Sequence, residues 1–151
     1  MSDGRFNIRV YGLLRRDALV LVADELIKGQ RITKFPGGGM EFGEGPKDCL
    51  VREISEELGV PAIDVEHFYT TDFFQASAYR AGDQIISIYF TFNVAEVSAI
   101  RTSEVPFDFA QANDPTESFR WLDLSQASIE DVTLPIDRVV LGMLIAEAKQ
   151  R

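Results

Sequence analysis

Cysteine is nearly absent from this chain: Cys49 stands alone, so no internal disulfide can form and no second thiol exists for a zinc site. Stability must come from packing. Uninterrupted apolar stretches are also missing, and none approaches the roughly 20 residues needed to cross a bilayer. The opening Met1-Ser2-Asp3-Gly4-Arg5 has neither a basic n-region nor an apolar h-region. A soluble, cytoplasmic protein is the expectation. Positive charge is short as well: 15 Lys and Arg stand against 24 Asp and Glu, and the net charge of −9 disfavours nucleic-acid polymers and anionic membranes as partners. An acidic protein can still act on phosphates if metal ions supply the positive charge. With 151 residues and no repeat, linker or low-complexity tract, the chain reads as a single domain over residues 1–151.

Ile8 to Leu14 and Ala18 to Val22 read as two strands joined by a tight turn at Arg15-Arg16-Asp17. Glu25 to Ile32 is mixed and polar and contains Gly29, so a loop is expected there. The short segment Thr33-Lys34-Phe35 follows, and regular structure is expected to stop at Pro36-Gly37-Gly38-Gly39. Pro46 suits a first helical position, Lys47 to Leu58 holds no breaker, and Gly59 with Pro61 marks a helix end. Val65 to Phe74 and Ile85 to Val94 read as a hairpin about the Ala81-Gly82-Asp83 turn. Its buried side would carry Ile86, Ile88, Phe90, Phe92 and Val94, opposite Ser87, Thr91 and Asn93. Ser98 to Pro115 reads as a long loop and Phe119 to Leu122 as a last strand. A terminal helix from Pro135 would bury Ile136, Val139, Val140, Met143 and Leu144, with Lys149 and Arg151 at its C-terminal end.

The helix from Pro46 to Leu58 carries the chemistry. Wound at about 100° per residue, it gathers Leu50, Val51, Ile54 and Leu58 in one arc and Glu53, Glu56 and Glu57 in another. Like charges three and four positions apart repel. A solvated acidic face is one outcome; a face that collects a hard divalent cation, Mg²⁺ or Mn²⁺, is the other. Arg52 lies at the edge of the acidic arc, where it can fix a carboxylate by a bidentate contact. Upstream, Gly37, Gly38, Gly39, Met40, Glu41, Phe42, Gly43 and Glu44 form a glycine-dense turn whose backbone can approach a metal-bound phosphate, or simply a flexible hairpin.

The combined spacing is Gly38, five residues, Glu44, seven residues, Arg52-Glu53-Ile54, one residue, Glu56-Glu57, one residue, Gly59-Val60. This resembles the Nudix box at every defined position. Seven fixed identities, at very roughly one in fifteen each, coincide by chance about once in 10⁸ starting points. The resemblance implies an α/β fold, an α/β/α sandwich with a mixed twisted β-sheet, the box helix on one face and the terminal helix on the other. It further implies a hydrolase that cleaves a phosphoanhydride bond in a nucleoside diphosphate linked to another group, a nucleoside triphosphate or nucleotide sugar by preference. Glu53, Glu56 and Glu57 would hold Mg²⁺ or Mn²⁺ with a backbone carbonyl of Gly37 or Gly38. Glu44 and Arg52 would orient the site. The general base would be Glu53 or Glu56, or Glu117 from a later segment. The competing reading is a catalytically silent nucleotide-binding or regulatory module of the same fold, and family dimers make a homodimer a further expectation.

Lys34 and Arg31 precede the glycine turn, where each could reach a substrate phosphate or stand as a solvated strand end; Gly37 and Gly39 would approach the same phosphate through their backbone. Of Phe73, Phe74, Tyr79, Tyr89 and Trp121, one or two at most are expected to touch a nucleobase, because most aromatics at strand spacing are core. His67 has a pKa range suited to proton transfer but lies outside the box. Cys49 reads as a small buried filler. Gln75 to Gln84 and the loop Arg101 to Thr116 are the candidate specificity segments.

Overall fold

The computed structural model describes residues 4–111 and 116–150, so Pro115 and Arg151 lie outside the described residues. Among these, seven strands and two α-helices follow in the order β1 (Arg5–Arg16), β2 (Leu19–Ile27), β3 (Gln30–Lys34), β4 (Gly37–Gly39), α1 (Pro46–Leu58), β5 (Ile63–Thr70), β6 (Asp83–Asn93), β7 (Glu117–Asp123) and α2 (Pro135–Lys149). The sheet runs β3-β2-β1-β6-β5, with β4 added to β1 and β7 added to β2. It is mixed, because β1 and β6 pair in parallel from Arg5↔Asp83 to Leu14↔Phe92 while the other pairs are antiparallel.

β1 and β2 pair only at Arg15↔Val20 and Arg16↔Leu19, next to their turn. Beyond that seam they diverge. β2 pairs with β3 from Ala23↔Lys34 to Ile27↔Gln30, and β1 pairs with β4 at Arg9, Val10 and Tyr11. The sheet therefore opens like a wedge, with the chain from β3 to β4 lying in the gap.

Alternation along the strands sends side chains into two cores. On one face Val10, Leu14, Leu21, Ala23, Phe90 and Phe92 pack with Cys49, Leu50, Ile54 and Leu58 of α1. On the other, Tyr11, Leu13, Val20, Val22 and Tyr89 pack with Ile136, Val140, Leu141 and Leu144 of α2. A sheet between two helices, as expected, is the result. α1 starts on Pro46 and ends at Gly59, whose left-handed backbone (φ 71°) lets its N–H reach Ser55 O at 3.0 Å.

Several local expectations fail for physical reasons. Residues 25–32 are not a loop: β2 runs on to Ile27 and turns through Lys28 and Gly29, both at positive φ (49° and 78°), directly into β3. The polar Asp24 and Glu25 that broke the hydrophobic pattern are strand residues with charged partners. Nor does regular structure stop at the glycines, since Gly37–Gly39 pairs with β1 through its backbone alone. β5 ends at Thr70, so Phe73 and Phe74 fall in the connection to β6 and are exposed. β6 is covered on both faces, with Ser87 and Tyr89 buried opposite Phe90 and Phe92, because α1 packs on one face of the sheet and α2 on the other.

On α1 the core arc is rotated towards Cys49, which leaves Val51 41% exposed. On α2 it is rotated towards Asp137 and Leu141, which leaves Val139 and Met143 partly exposed. The difference on α1 is measurable by denaturant unfolding. Ile54→Ala should lose about 2–5 kcal/mol of stability, as a fully buried branched side chain does. Val51→Ala should change it by less than about 0.5 kcal/mol. Equal losses would contradict the orientation of the helix.

Candidate active site

The glycine strand β4 lies against α1, and the contact is between backbone and carboxylate. Gly37 N–H donates to Glu57 Oε2 at 2.9 Å. A Cβ on Gly38 would stand 2.7 Å from Glu53 Oε1, so only glycine leaves room for that carboxylate. At Gly37 the backbone takes φ 145°, and a side chain there would strike the backbone of Val10 and Tyr11.

Arg52 ties the box together. Its Nε and Nη2 reach Glu44 Oε2 and Oε1 at 3.0 and 2.7 Å, a bidentate pair. Nη1 reaches Glu53 Oε1 at 3.0 Å and Glu56 Oε2 at 3.3 Å, and Nη2 also donates to Gly39 O at 3.1 Å. Hydrogen bonds from Arg52 and from the Glu41 N–H hold the Glu44 carboxyl down at about 2. Glu44 is thus a fixed anion that orients Arg52. Cys49 sits behind this network, its thiol pushed up to about 12 by burial and by Glu44. It is the inert filler expected.

Glu57 points instead towards two carboxylates from the sheet. Glu25 on β2 and Glu117 on β7 are directly opposed in register, and carboxylate oxygens of Glu25, Glu57 and Glu117 lie within 4.8 Å of one another. Burial first, and then mutual repulsion, raises Glu57 to about 7 against the drawing-down effect of Lys34. Burial, Glu57 and Glu25 raise Glu117 to about 9. Lys34 is the local counter-charge. Its Nζ lies 2.8 Å from Glu25 Oε2, an ion pair without hydrogen-bond alignment, and donates to Phe35 O at 3.1 Å. Burial alone would lower the Lys34 ammonium, but Glu25 and Glu57 reverse this and hold it above its ordinary value.

Beside the cluster, in the opening of the wedge, is a cavity of about 540 Å³. β1 contributes Arg9 and Tyr11 to its wall, β3 Ile32 and Lys34, β6 Ser87 and Tyr89, and the segment Gln75 to Arg80 closes one side. Tyr89 OH donates to Asp137 Oδ1 at 2.5 Å, and Asp137 Oδ2 accepts from Phe35 N–H at 3.4 Å, so α2 pins the chain just before β4.

The structure thus links Gly38, Gly39, Glu44, Arg52 and Glu53 through contacts between β4 and α1, while Glu57, bound to the Gly37 N–H, meets Glu117; none of these residues lines the cavity. Glu56 stands at the exposed rim, held by Arg52. Lys34 is not a solvated strand end; it is buried in the site. Arg31 is exposed, stacks on Phe107 at 5.4 Å and does not line the cavity. Of the five aromatics, Tyr79 and Tyr89 line it and Phe73, Phe74 and Trp121 do not. Gln75 to Arg80, within the first candidate specificity segment, lines it too, whereas the described part of the Arg101 to Thr116 loop does not. His67 is exposed on β5 beside Thr70. Glu25, Arg9, Tyr11 and Asp137 were not anticipated. An acidic residue interrupting a β-branched strand was the available signal for Glu25.

A family model for the NUDIX domain matches residues 5–141. The chain belongs to the NUDIX domain family. The 8-oxo-dGTP diphosphatase of Haemophilus influenzae is 28% identical over 82 residues, covering 52% of this chain and 56% of that protein. The RNA pyrophosphohydrolase of Saccharophagus degradans is 37% identical over 65 residues, covering 43% and 38%. The chain thus spans about half or less of the length of these curated relatives. The solution structure of the Escherichia coli ORF135 protein superposes with a TM-score of 0.68 at 21% identity, covering 98% of this chain and 94% of that one, which is a likeness of fold. No helix of this NUDIX domain, among the described residues, is long and apolar enough to cross a membrane.

The raised carboxyls make stability fall with pH. Glu57 and Glu117 release their protons near 4.5 when unfolded but near 7 and 9 when folded, so across that window the folded protein binds more protons than the unfolded one. Stability from this source is full below about pH 4.5 and is lost as pH rises towards 9. In chelator, the melting temperature should drop steadily between pH 5 and 9, and Glu117→Gln should flatten the slope. Parallel profiles for the two proteins would contradict the cluster.

Proposed function

We propose that this NUDIX domain is a metal-dependent pyrophosphohydrolase that cleaves a phosphoanhydride bond in a nucleoside diphosphate linked to another group, with nucleoside triphosphates or nucleotide sugars as its substrates. The observation that carries the reading is the convergence of one box carboxyl, Glu57 of α1, with Glu25 and Glu117 from the sheet, a crowding that raises the proton affinity of Glu57 and Glu117 and that a divalent cation would relieve. The donors are all oxygen, which fits Mg²⁺ or Mn²⁺ and not a thiolate or imidazole metal. Glu53, Glu56 and Glu57, with the Gly38 carbonyl, are the proposed ligands, and Glu25 and Glu117 extend the set. When bound, such ions neutralise the diphosphate and acidify an attacking water.

The chain's own groups fill the remaining roles. Arg52, fixed by Glu44, holds Glu53 and steadies Glu56. Lys34 keeps Glu25 in place. Glu53 and Glu56 are the proposed proton acceptors, and Glu117 on β7 is the alternative. Gly37 and Gly39 bring bare backbone to the phosphates. The cavity takes the organic part of the substrate, with Tyr79, half-buried in its wall, as the stacking surface. A small nucleotide is favoured over a nucleic-acid polymer by the net charge of −9. The diphosphatase and pyrophosphohydrolase names of the relatives agree with phosphoanhydride chemistry.

Purified protein screened against nucleoside triphosphates, nucleotide sugars and dinucleoside polyphosphates with Mg²⁺ or Mn²⁺ should release phosphate or pyrophosphate from some of them. Glu57→Gln should cut that rate by at least about 10- to 100-fold, which is what losing a mere outer partner of a metal ligand costs, with a melting temperature unchanged or higher because a crowded ionisable group has gone. Wild-type protein silent across the panel would reduce the domain to a binding module, and unchanged turnover in the variant would remove Glu57 from the site.

A further inference from the structure

Arg9 is a cation without an anion. Among the described residues its one hydrogen bond runs from Nε to Tyr11 OH at 2.6 Å, and no carboxylate lies within ion-pair distance of it. Arg5, Arg15, Arg52 and Arg120 each have such a partner. Yet Arg9 is half-buried, lines the cavity and lies over the Tyr11 ring at 5.7 Å, with Lys34 over the same ring at 5.4 Å. A guanidinium fixed at Nε and left with free Nη donors is arranged to receive a planar or tetrahedral oxyanion.

The glycine strand decides where that anion sits. Consecutive strand residues face opposite sides. A Cβ on Gly38 would meet the Glu53 carboxylate, whereas a Cβ on Gly39 would come within 3.6 Å of Arg9 Nη1. Carboxylates of the box thus stand on one side of a strand with no side chains, and the Arg9 guanidinium on the other. Glu53 and Glu25 both lie close enough to act electrostatically on Arg9.

We infer that Arg9, oriented by Tyr11, binds non-bridging oxygens of the substrate diphosphate from the cavity side of β4, opposite the carboxylates of α1, and so selects for polyphosphate over monophosphate ligands. This rests on the reading of the acidic cluster as a metal–diphosphate site. Lys34 cannot take the same part, because its charge is already engaged by Glu25.

The test is calorimetric titration of the wild-type domain with methylenediphosphonate, which has no hydrolysable bridge, at saturating Mg²⁺, with inorganic phosphate as the comparison. Arg9→Gln should weaken methylenediphosphonate by about 10- to 100-fold, the loss of charge-assisted hydrogen bonds. It should leave the affinity for Mg²⁺ alone unchanged or tighter, since a cation near Glu53 and Glu25 has gone, and Arg9→Lys should restore part of the loss. If Arg9→Gln does not fold, Tyr11→Phe, which frees Nε while keeping the ring, should give an intermediate loss. Equal affinities in wild type and variants, a wild type that prefers phosphate, or a wild type that binds neither ligand would overturn the inference. Turnover on the nucleotide panel separates it from the reading beneath it. Hydrolysis that ignores Arg9→Gln sinks the inference alone, whereas lost diphosphonate affinity in a domain with no turnover sinks the hydrolase alone.

Discussion

Three carboxylates, Glu25, Glu57 and Glu117, meet where water is scarce, and the single ammonium of Lys34 does not balance them. Crowding carboxyls where solvation is poor opposes folding as soon as they ionise, so the surrounding elements have to hold them there by force of packing. The register of β2 against β7 sets Glu25 opposite Glu117, and α1 delivers Glu57 from above. Each of these elements is anchored in a core on its own account: α1 through Cys49, Leu50, Ile54 and Leu58, β2 through Val20, Leu21, Val22 and Ala23. The apolar burial supplies the free energy, and the cluster spends part of it.

Rigid polar contacts then fix the walls. Asp137 reaches from α2 to Tyr89 and to the Phe35 N–H, which sets the chain immediately before the glycine strand. Asp24, buried next to Glu25 but facing the other side of β2, accepts from Thr33 Oγ1 at 2.7 Å, from Arg120 Nε at 2.7 Å and from the Phe107 N–H at 3.0 Å. That hub joins β2, β3, β7 and the loop after β6 at one point, so the strands carrying Glu25 and Glu117 cannot slide past each other without breaking it. Preorganisation of this kind lets a site hold unfavourable charges without relaxing them away.

The helix and its chemistry were legible because they are local. Period, Pro46 at the start, Gly59 at the end and the spacing from Gly38 to Val60 all lie in one continuous segment. Glu117 could be named because it stands just before a recognisable strand. Glu25 was lost because an acidic residue beside the polar run Lys28-Gly29-Gln30-Arg31 looks like a loop, and only pairing with β3 and β7 makes it a strand residue. Arg9 was hidden for a related reason: one of several polar residues on β1, it carries no mark of the cavity it faces, which exists only after β1 and β2 diverge. Val51 and Cys49 differ by one small rotation of α1, which the apolar arc alone does not resolve. Tyr89 shows the same limit on β6, where alternation was read as one buried side although α1 and α2 cover both.

The narrow seam between β1 and β2 has an effect at a distance. Two residue pairs beside Asp17 and Ala18 join these strands, and everything further along is spread apart. The angle between the two wings is therefore set at the closed end of the wedge, while the ligand space lies at the open end. A residue inserted in or deleted from that small turn acts as a lever, changing how bulky a molecule fits at the mouth without altering a single residue that touches it.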